Sequence, residues 1–221
     1  YLNINKLSEE ISKHIKKGDR CLLVSENRPE WMISDLSIML SGGITVPAYT
    51  TYAERDYEYI IDDCTPAIII ISNKTQYEKI QSIIPKKNFI KKVILFESIE
   101  NINASFNLKI QDIFKRNNIN NQNFFDLKIQ RKDMACIIYT SGTQGNPKGV
   151  MLSHGGILNN CEGAHQLLKT FISKSPKFLT WLPLSHSYEH TVQFVQIVVG
   201  ARVFYAESID KLIKNMGDCS P

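Results

Sequence analysis

The sequence predicts an α/β fold in which strands and helices alternate in layers. Two observations carry this. The short apolar runs DRCLLVS, ITVPAY, AIIIIS and KKVILFE are separated by stretches of helical length and pattern. The run AIIIIS is apolar on both faces, as in a parallel sheet covered on both sides. With 43% hydrophobic and 22% charged residues, 221 residues suffice for one globular domain or part of a larger one.

The elements follow in order. DRCLLVS is a buried strand, and Pro29 then stands where a first helical turn tolerates proline. EWMISDLSIMLSGG carries a helical apolar pattern with Gly42 and Gly43 as its stop. After the strand ITVPAY, the spacing Thr51-x-x-Glu54 predicts a capping box for a helix running to about Cys64. AIIIIS is a third strand, followed by a helix near TQYEKIQSII and the strand KKVILFE. From Asn101 to Gln130 the chain turns rich in Asn, Ile and Lys and predicts one amphipathic helix, KIQDIFKR, then a polar loop. Then come the strand MACIIYT, a glycine-rich loop, the strand KGVMLS and a helix from about His154. The strand KFLTWLPL, a loop, the helix HTVQFVQIVVG, the strand ARVFYA and the helix SIDKLIKNM complete the chain. Trp31 and Trp181 read as core or near-core packing, and the apolar run from Val192 to Val199 as a buried helix face.

Charge and cysteine usage exclude several classes. A net charge of +4, without a dense Lys/Arg block, is no nucleic-acid footprint; it suits an anionic ligand and admits contact with an acidic membrane surface. The five cysteines, odd in number and widely spaced, argue against a disulfide framework or zinc site and for a reducing compartment. No apolar run reaches the ~18 residues of a membrane span. The expected location is cytoplasmic, with membrane association left open.

The stretch IIYTSGTQGNPKGVMLSHGG concentrates the chemistry. Gly142, Gly145 and Gly149 give a backbone free to wrap an anion; Thr140, Ser141 and Thr143 add hydroxyls, and Lys148 adds a point charge. Such a set suits a polyphosphate. The P-loop pattern G-x-x-x-x-G-K-[ST] fails here, because Pro147 takes the second Gly position and Gly149 the Ser/Thr position. Pro147 also biases Asn146 toward extended backbone, so no helix should open at Lys148. The loop is expected to join two strands as a hairpin and to be mobile without ligand.

YTSGTQGNPKGVMLSHGGI closely resembles the signature of the adenylate-forming (AMP-binding) superfamily. The segments GDRCLLVSENRPEW to AIIIIS and TWLPLSHSYEHTVQFVQIVVGARVFYAES are similar to the N-terminal part of long-chain acyl-CoA synthetases. Asn101 to Gln130 carries little of this likeness. The resemblance implies that residues 1–221 are a partial AMP-binding domain, the N-terminal portion of the large domain of an acyl-CoA synthetase-like fold, without the small C-terminal domain. It implies ATP, Mg²⁺ and coenzyme A, and activation of a fatty acid to acyl-adenylate and then acyl-CoA. A fatty-acyl-AMP ligase, or a catalytically incompetent nucleotide-binding module, are the alternatives. Ser141, Gly142, Thr143, Gly145 and Lys148 would hold the β- and γ-phosphates, and Thr140 would share in holding the magnesium. Gln144 departs from the family pattern, standing where a second Thr is usual; its amide can still donate.

In LPLSHSYEH, His186 occupies by resemblance the place beside the acyl-adenylate carbonyl. A neutral imidazole there can donate to a carboxylate. Glu189 and His190 receive no catalytic role, and Glu189 reads equally as a structural ion-pair partner. ENRPEW reads as a turn and helix start. The family's Y-G-x-T-E segment, its ribose-binding aspartate and its C-terminal lysine are not found, so these residues alone are expected not to make acyl-CoA.

Overall fold

The computed structural model describes residues 1–100, 102, 106–116, 127–140, 147–171 and 175–220. Helix α1 (Leu2–Ser12) precedes β1 (Arg20–Val24), α2 (Pro29–Leu40), β2 (Ile44–Ala48), α3 (Glu54–Cys64), β3 (Ile68–Ile71), α4 (Lys74–Ile80) and β4 (Lys92–Leu95). Strand β5 (Asn107–Lys109) and the short α5 (Ile110–Phe114) lie within the Asn-rich segment. The hairpin β6 (Met134–Thr140) and β7 (Lys148–Ser153) leads into α6 (His154–Leu168). Then follow β8 (Lys177–Thr180), α7 (Ser187–Val198), β9 (Arg202–Tyr205) and α8 (Leu212–Cys219).

One sheet of seven strands runs in the order β5-β4-β3-β1-β2-β6-β7; β8 and β9 form a second, parallel pair. In the large sheet all neighbours are parallel except β6 and β7. Alternation along the inner strands sorts their side chains onto two covered faces. Leu22, Val24, Ile69 and Ile71 face α3 and α4. Cys21, Leu23, Ile68 and Ile70 face α1, α2 and α5. The four isoleucines of β3 are all fully buried, each worth about 1.5–3 kcal/mol of transfer free energy.

The predicted glycine stop of α2 is observed, with Gly42 at φ +76°, a conformation that side chains with a Cβ avoid. The predicted capping box is not. The cap of α3 is Ala53, whose N–H donates to the Asp56 carboxylate at 3.0 Å, while Glu54 accepts instead from the Ser82 hydroxyl. Helix α1 and strand β5 carry no motif that marked them in advance. Leu7 and Ile11 pack α1 onto the sheet face, and serines draw it against α2: Ser8 Oγ donates to Ser37 O at 3.1 Å and Ser41 Oγ to Ser8 O at 3.0 Å. Strand β8 is shorter than predicted. Trp181 leaves it, and at 44% exposed it is a surface residue rather than core, whereas Trp31 is fully buried.

Helix α7 also departs from expectation. Val195 is buried, but Ile197 and Val198 are exposed, and the helix buries Glu189, His190, Gln193 and Gln196. These polar groups are tolerated because they bond one another, the small sheet and, for His190, Asp35 of α2. Gln193 Nε2 donates to Thr180 Oγ1 at 2.6 Å and to Gln196 Oε1 at 2.8 Å, and Tyr205 donates to Gln193 Oε1 at 3.3 Å.

Candidate functional site

Parallel pairing aligns the carboxyl ends of β1, β2, β3, β4 and β6 along one edge of the large sheet. Ligands in open α/β sheets bind beside such an edge, near the point where the strand order reverses. Here the reversal lies between β1 and β3. That crevice is filled: Glu26 accepts from Ser72 Oγ (2.6 Å), Gln76 Nε2 (3.0 Å) and Asn73 Nδ2 (3.1 Å) at the start of α4. Burial raises the carboxyl of Glu26, but these donors outweigh it and hold it below its ordinary value. The open space is displaced to the other side of β1. A cleft of ≈ 270 Å³ lies outside the ends of β1, β2, β8 and β9, lined by Asn27, Tyr49, Thr50, Trp181, Ser185 and Ser208 among others.

At the same edge β6 and β7 pair antiparallel, with Thr140 opposite Lys148. Both are exposed. The register thus delivers one hydroxyl and one ammonium to the open end of the hairpin. Lys148 begins a strand, as Pro147 predicts, which rules out the strand-to-helix geometry of a P-loop. Gly149 has a different reason from the one its loop context suggests. It lies in β7 opposite Tyr139, and a Cβ there would meet Ile137 Cγ2 at 2.7 Å; its role is close packing. Tyr139 is buried and donates its phenol to Asp63, tying the end of β6 to α3. Ser141, Gly142, Thr143, Gln144 and Gly145 lie outside the described residues.

His186 is exposed and is the N-cap of α7, its Nδ1 accepting from Tyr188 N–H at 3.2 Å. An acceptor at Nδ1 places the proton of the neutral ring on Nε2. The ring therefore presents an N–H donor to solvent. The preceding loop is held from across the molecule. Asn27 Nδ2 donates to Leu182 O at 2.7 Å, and Asn27 Oδ1 accepts from Leu184 N–H at 2.9 Å. Nothing beyond the ENRPEW likeness marks Asn27 in the sequence, because its partners are backbone groups 155 and 157 residues away.

Among the described residues Glu189 has no ion-pair partner. Burial pushes its carboxyl up and a hydrogen bond from Thr180 partly offsets this. The buried pair is instead His190 Nε2 with Asp35 Oδ2 at 2.7 Å, with Trp31 edge-on to the imidazole at a centroid distance of 5.3 Å. It joins α7 to α2 beneath the His186 loop.

The donor set at the hairpin fits a phosphate better than a bare metal. One hydroxyl and one ammonium cannot hold a dication alone, and among the described residues no group of three His, Cys, Asp or Glu side chains converges. A magnesium carried by phosphate oxygens and water needs only such a single hydroxyl, so Thr140 suits that share. Also among the described residues, no helix is long and apolar enough to cross a membrane.

A mostly parallel sheet with an antiparallel hairpin at one edge defines the fold class. The signature of the AMP-binding enzyme family matches residues 2–218, and the chain belongs to that family. Fatty acyl-CoA synthetase A of Dictyostelium discoideum is 27% identical over 91% of this chain and 31% of its own length. A long-chain-fatty-acid–CoA ligase of Rattus norvegicus is 34% identical over 82% of this chain and 28% of its own. The chain thus spans under a third of the length of these curated relatives. Among solved structures, a red-emitting luciferase from Phrixothrix hirtus superposes with a TM-score of 0.81 at 19% identity, over 99% of this chain and 42% of that one. A long-chain-fatty-acid-CoA ligase from Archaeoglobus fulgidus does so with a TM-score of 0.80 at 20% identity, over 98% and 41%. At these identities the structural likeness establishes the fold.

Proposed function

We propose that this chain supplies the phosphate-binding and acid-positioning part of an AMP-forming long-chain fatty acid–CoA ligase, as the N-terminal portion of its large domain. The observation that carries this is the Thr140–Lys148 pairing at the carboxyl edge of the sheet, bracketing the glycine-rich loop. The relatives named as long-chain acyl-CoA synthetases supply the substrate class. ATP is supported by a fold neighbour, MatB of Rhodopseudomonas palustris, whose structure was solved with ATP bound (TM-score 0.75, 20% identity, 99% of this chain and 41% of that one).

In this reading a fatty carboxylate oxygen attacks the α-phosphorus of ATP, and the bond to pyrophosphate breaks. The thiol of coenzyme A then attacks the acyl carbon and AMP leaves. In-line displacement asks for positioning and charge neutralisation rather than covalent help. Lys148 and the loop residues Ser141, Gly142, Thr143, Gln144 and Gly145 hold the β- and γ-phosphates. Thr140 would share in holding a magnesium ion carried by those phosphates, which would neutralise their charge. His186 donates its Nε2–H to the acid. The Y-G-x-T-E segment, the ribose-binding aspartate motif and the C-terminal lysine segment are not found in these 221 residues, so the expectation is that they do not make acyl-CoA by themselves.

The test uses the full-length ligase. His186→Ala should raise the fatty acid KM or slow adenylate formation, with the ATP KM nearly unchanged. Loss of ATP affinity with an unchanged fatty acid response would move His186 to the nucleotide side. An ATP–pyrophosphate exchange assay on residues 1–221 with palmitate and magnesium should give no exchange above a control without fatty acid.

A further inference from the structure

We propose that Asn27 is a positioning residue for His186. Its carboxamide fixes the Leu182–Leu184 backbone and so sets the direction of the His186 Nε2–H. The inference rests on the reading of His186 as donor to the acid substrate.

The geometry is a relay of hydrogen bonds. Asn27 stands in the turn after β1, at the mouth of the cleft. Its amide bonds Leu182 O and Leu184 N–H at once, as a neighbouring strand would. Between these two anchors Pro183 O accepts the His186 N–H at 2.9 Å. His186 Nδ1 in turn accepts from Tyr188 N–H, the bond that fixes the tautomer. The ring itself is exposed, so packing does not orient it; the backbone that carries it must. Leu184, almost fully buried among α2 side chains, pins the same segment from below.

The chemistry of the residue matters. Only a planar amide offers a donor and an acceptor side by side on so short a stem. Its orientation is set by its partners, because a flipped amide would face NH₂ to Leu184 N–H and oxygen to Leu182 O. Asp keeps the bond from Leu184 N–H but repels the Leu182 carbonyl. Ala loses both bonds.

A double-mutant cycle in the full-length ligase separates positioning from mere support. Asn27→Ala should lower kcat/KM for fatty acid by about tenfold to a hundredfold, the scale of small misplacements of a reacting partner. The ATP KM should stay within about twofold, since that site lies on the hairpin. In the His186→Ala background the same substitution should cost less than about twofold. Asn27→Asp should fall between wild type and Asn27→Ala, and it carries the test if the alanine variant does not fold. Equal losses in both backgrounds would overturn the proposal. A second readout is independent of catalysis: imidazole ¹⁵N shifts in wild type should show the Nε2–H tautomer, and Asn27→Ala should give a tautomer mixture. If His186→Ala leaves fatty acid kinetics unchanged, the functional reading of His186 fails. The ¹⁵N shifts then decide the positioning alone, and unchanged shifts in Asn27→Ala overturn it.

Discussion

Strands β3 and β7 belong to one sheet and live in opposite environments. The four isoleucines of β3 are fully buried between helices on both faces. Of β7, the first four residues are exposed, Val150 and Met151 included. The inner strands are a packed support with no chemistry of their own. Among the described residues, the groups that meet substrate in the proposed function, Thr140, Lys148 and His186, are exposed at strand or loop ends. A site of this kind is positioned by contacts elsewhere: Tyr139 ties the end of β6 to α3, and Asn27 holds the His186 loop.

The sharpest way to break that division is to cut the support. Ile70→Ala should destabilise the chain by about 2–5 kcal/mol, through lost transfer free energy and a cavity that close packing cannot fill. Met151→Ala in β7 should change stability by less than about 0.5 kcal/mol. Urea unfolding of the two variants checks the contrast, and comparable midpoint shifts would refute it.

A smaller effect should come from Glu10, which anchors α1. Its carboxylate accepts from Lys13 at 2.9 Å and is paired with Arg116 and His14. Burial raises it, but Arg116, Lys13 and His14 together pull it down to about 2. A depressed carboxyl contributes stability that is fully present above its unfolded value near 4.5 and is lost as pH falls toward about 2. Glu10→Gln should therefore cost about 2–3 kcal/mol at pH 7. The gap to wild type should close as unfolding is followed from pH 5 down to pH 2; a constant gap would show that Glu10 acts by packing.

At the hairpin the expected effects reverse their kind. Lys148→Ala in the full-length ligase should weaken ATP use by about 1.5–3 kcal/mol, tenfold or more, since a charge-assisted phosphate contact is lost. Stability should move by less than about 0.5 kcal/mol because the side chain is exposed. Unchanged ATP kinetics would remove Lys148 from the phosphate site.

The α/β layering was legible because periodicity and burial are local signals. Four apolar runs with helical spacers place β1 to β4, and Pro147 predicts the strand at Lys148. What escaped depends on distant partners. Helix α1 is held by serine contacts to α2, not by a cap. Helix α7 looks apolar-faced, yet it buries Glu189, His190, Gln193 and Gln196, because Thr180, Tyr205 and Asp35 supply partners that no window of sequence reveals. Trp181 counted as core by residue type, but β8 ends before it and leaves it on the cleft. For the site, residue types and the family likeness named Thr140, Lys148 and His186. The tautomer of His186 and the Asn27 clamp came only from geometry.

The smallest test distinguishes a local sequence rule from the structure that overrode it. Thr51-x-x-Glu54 matches the capping-box pattern, but the chain enters α3 two residues later, at Ala53. The reciprocal half of a box survives there: Asp56 reaches back to the Ala53 N–H, while the alanine methyl can return nothing. The helix start therefore rests on Asp56, whose carboxylate lies, with that of Glu54, at the positive end of the α3 dipole. Asp56→Ala should cost about 0.5–1 kcal/mol, with one orphan N–H and one favourable charge lost. Thr51→Ala should cost less than about 0.5 kcal/mol, as for a surface residue. Replacing Ala53 by Ser should complete the box and stabilise by about 0.5–1 kcal/mol, because a serine oxygen can take the Asp56 N–H. Chemical denaturation of the three variants measures all of this at once. A larger loss for Thr51→Ala than for Asp56→Ala would mean that α3 begins where the sequence pattern first placed it.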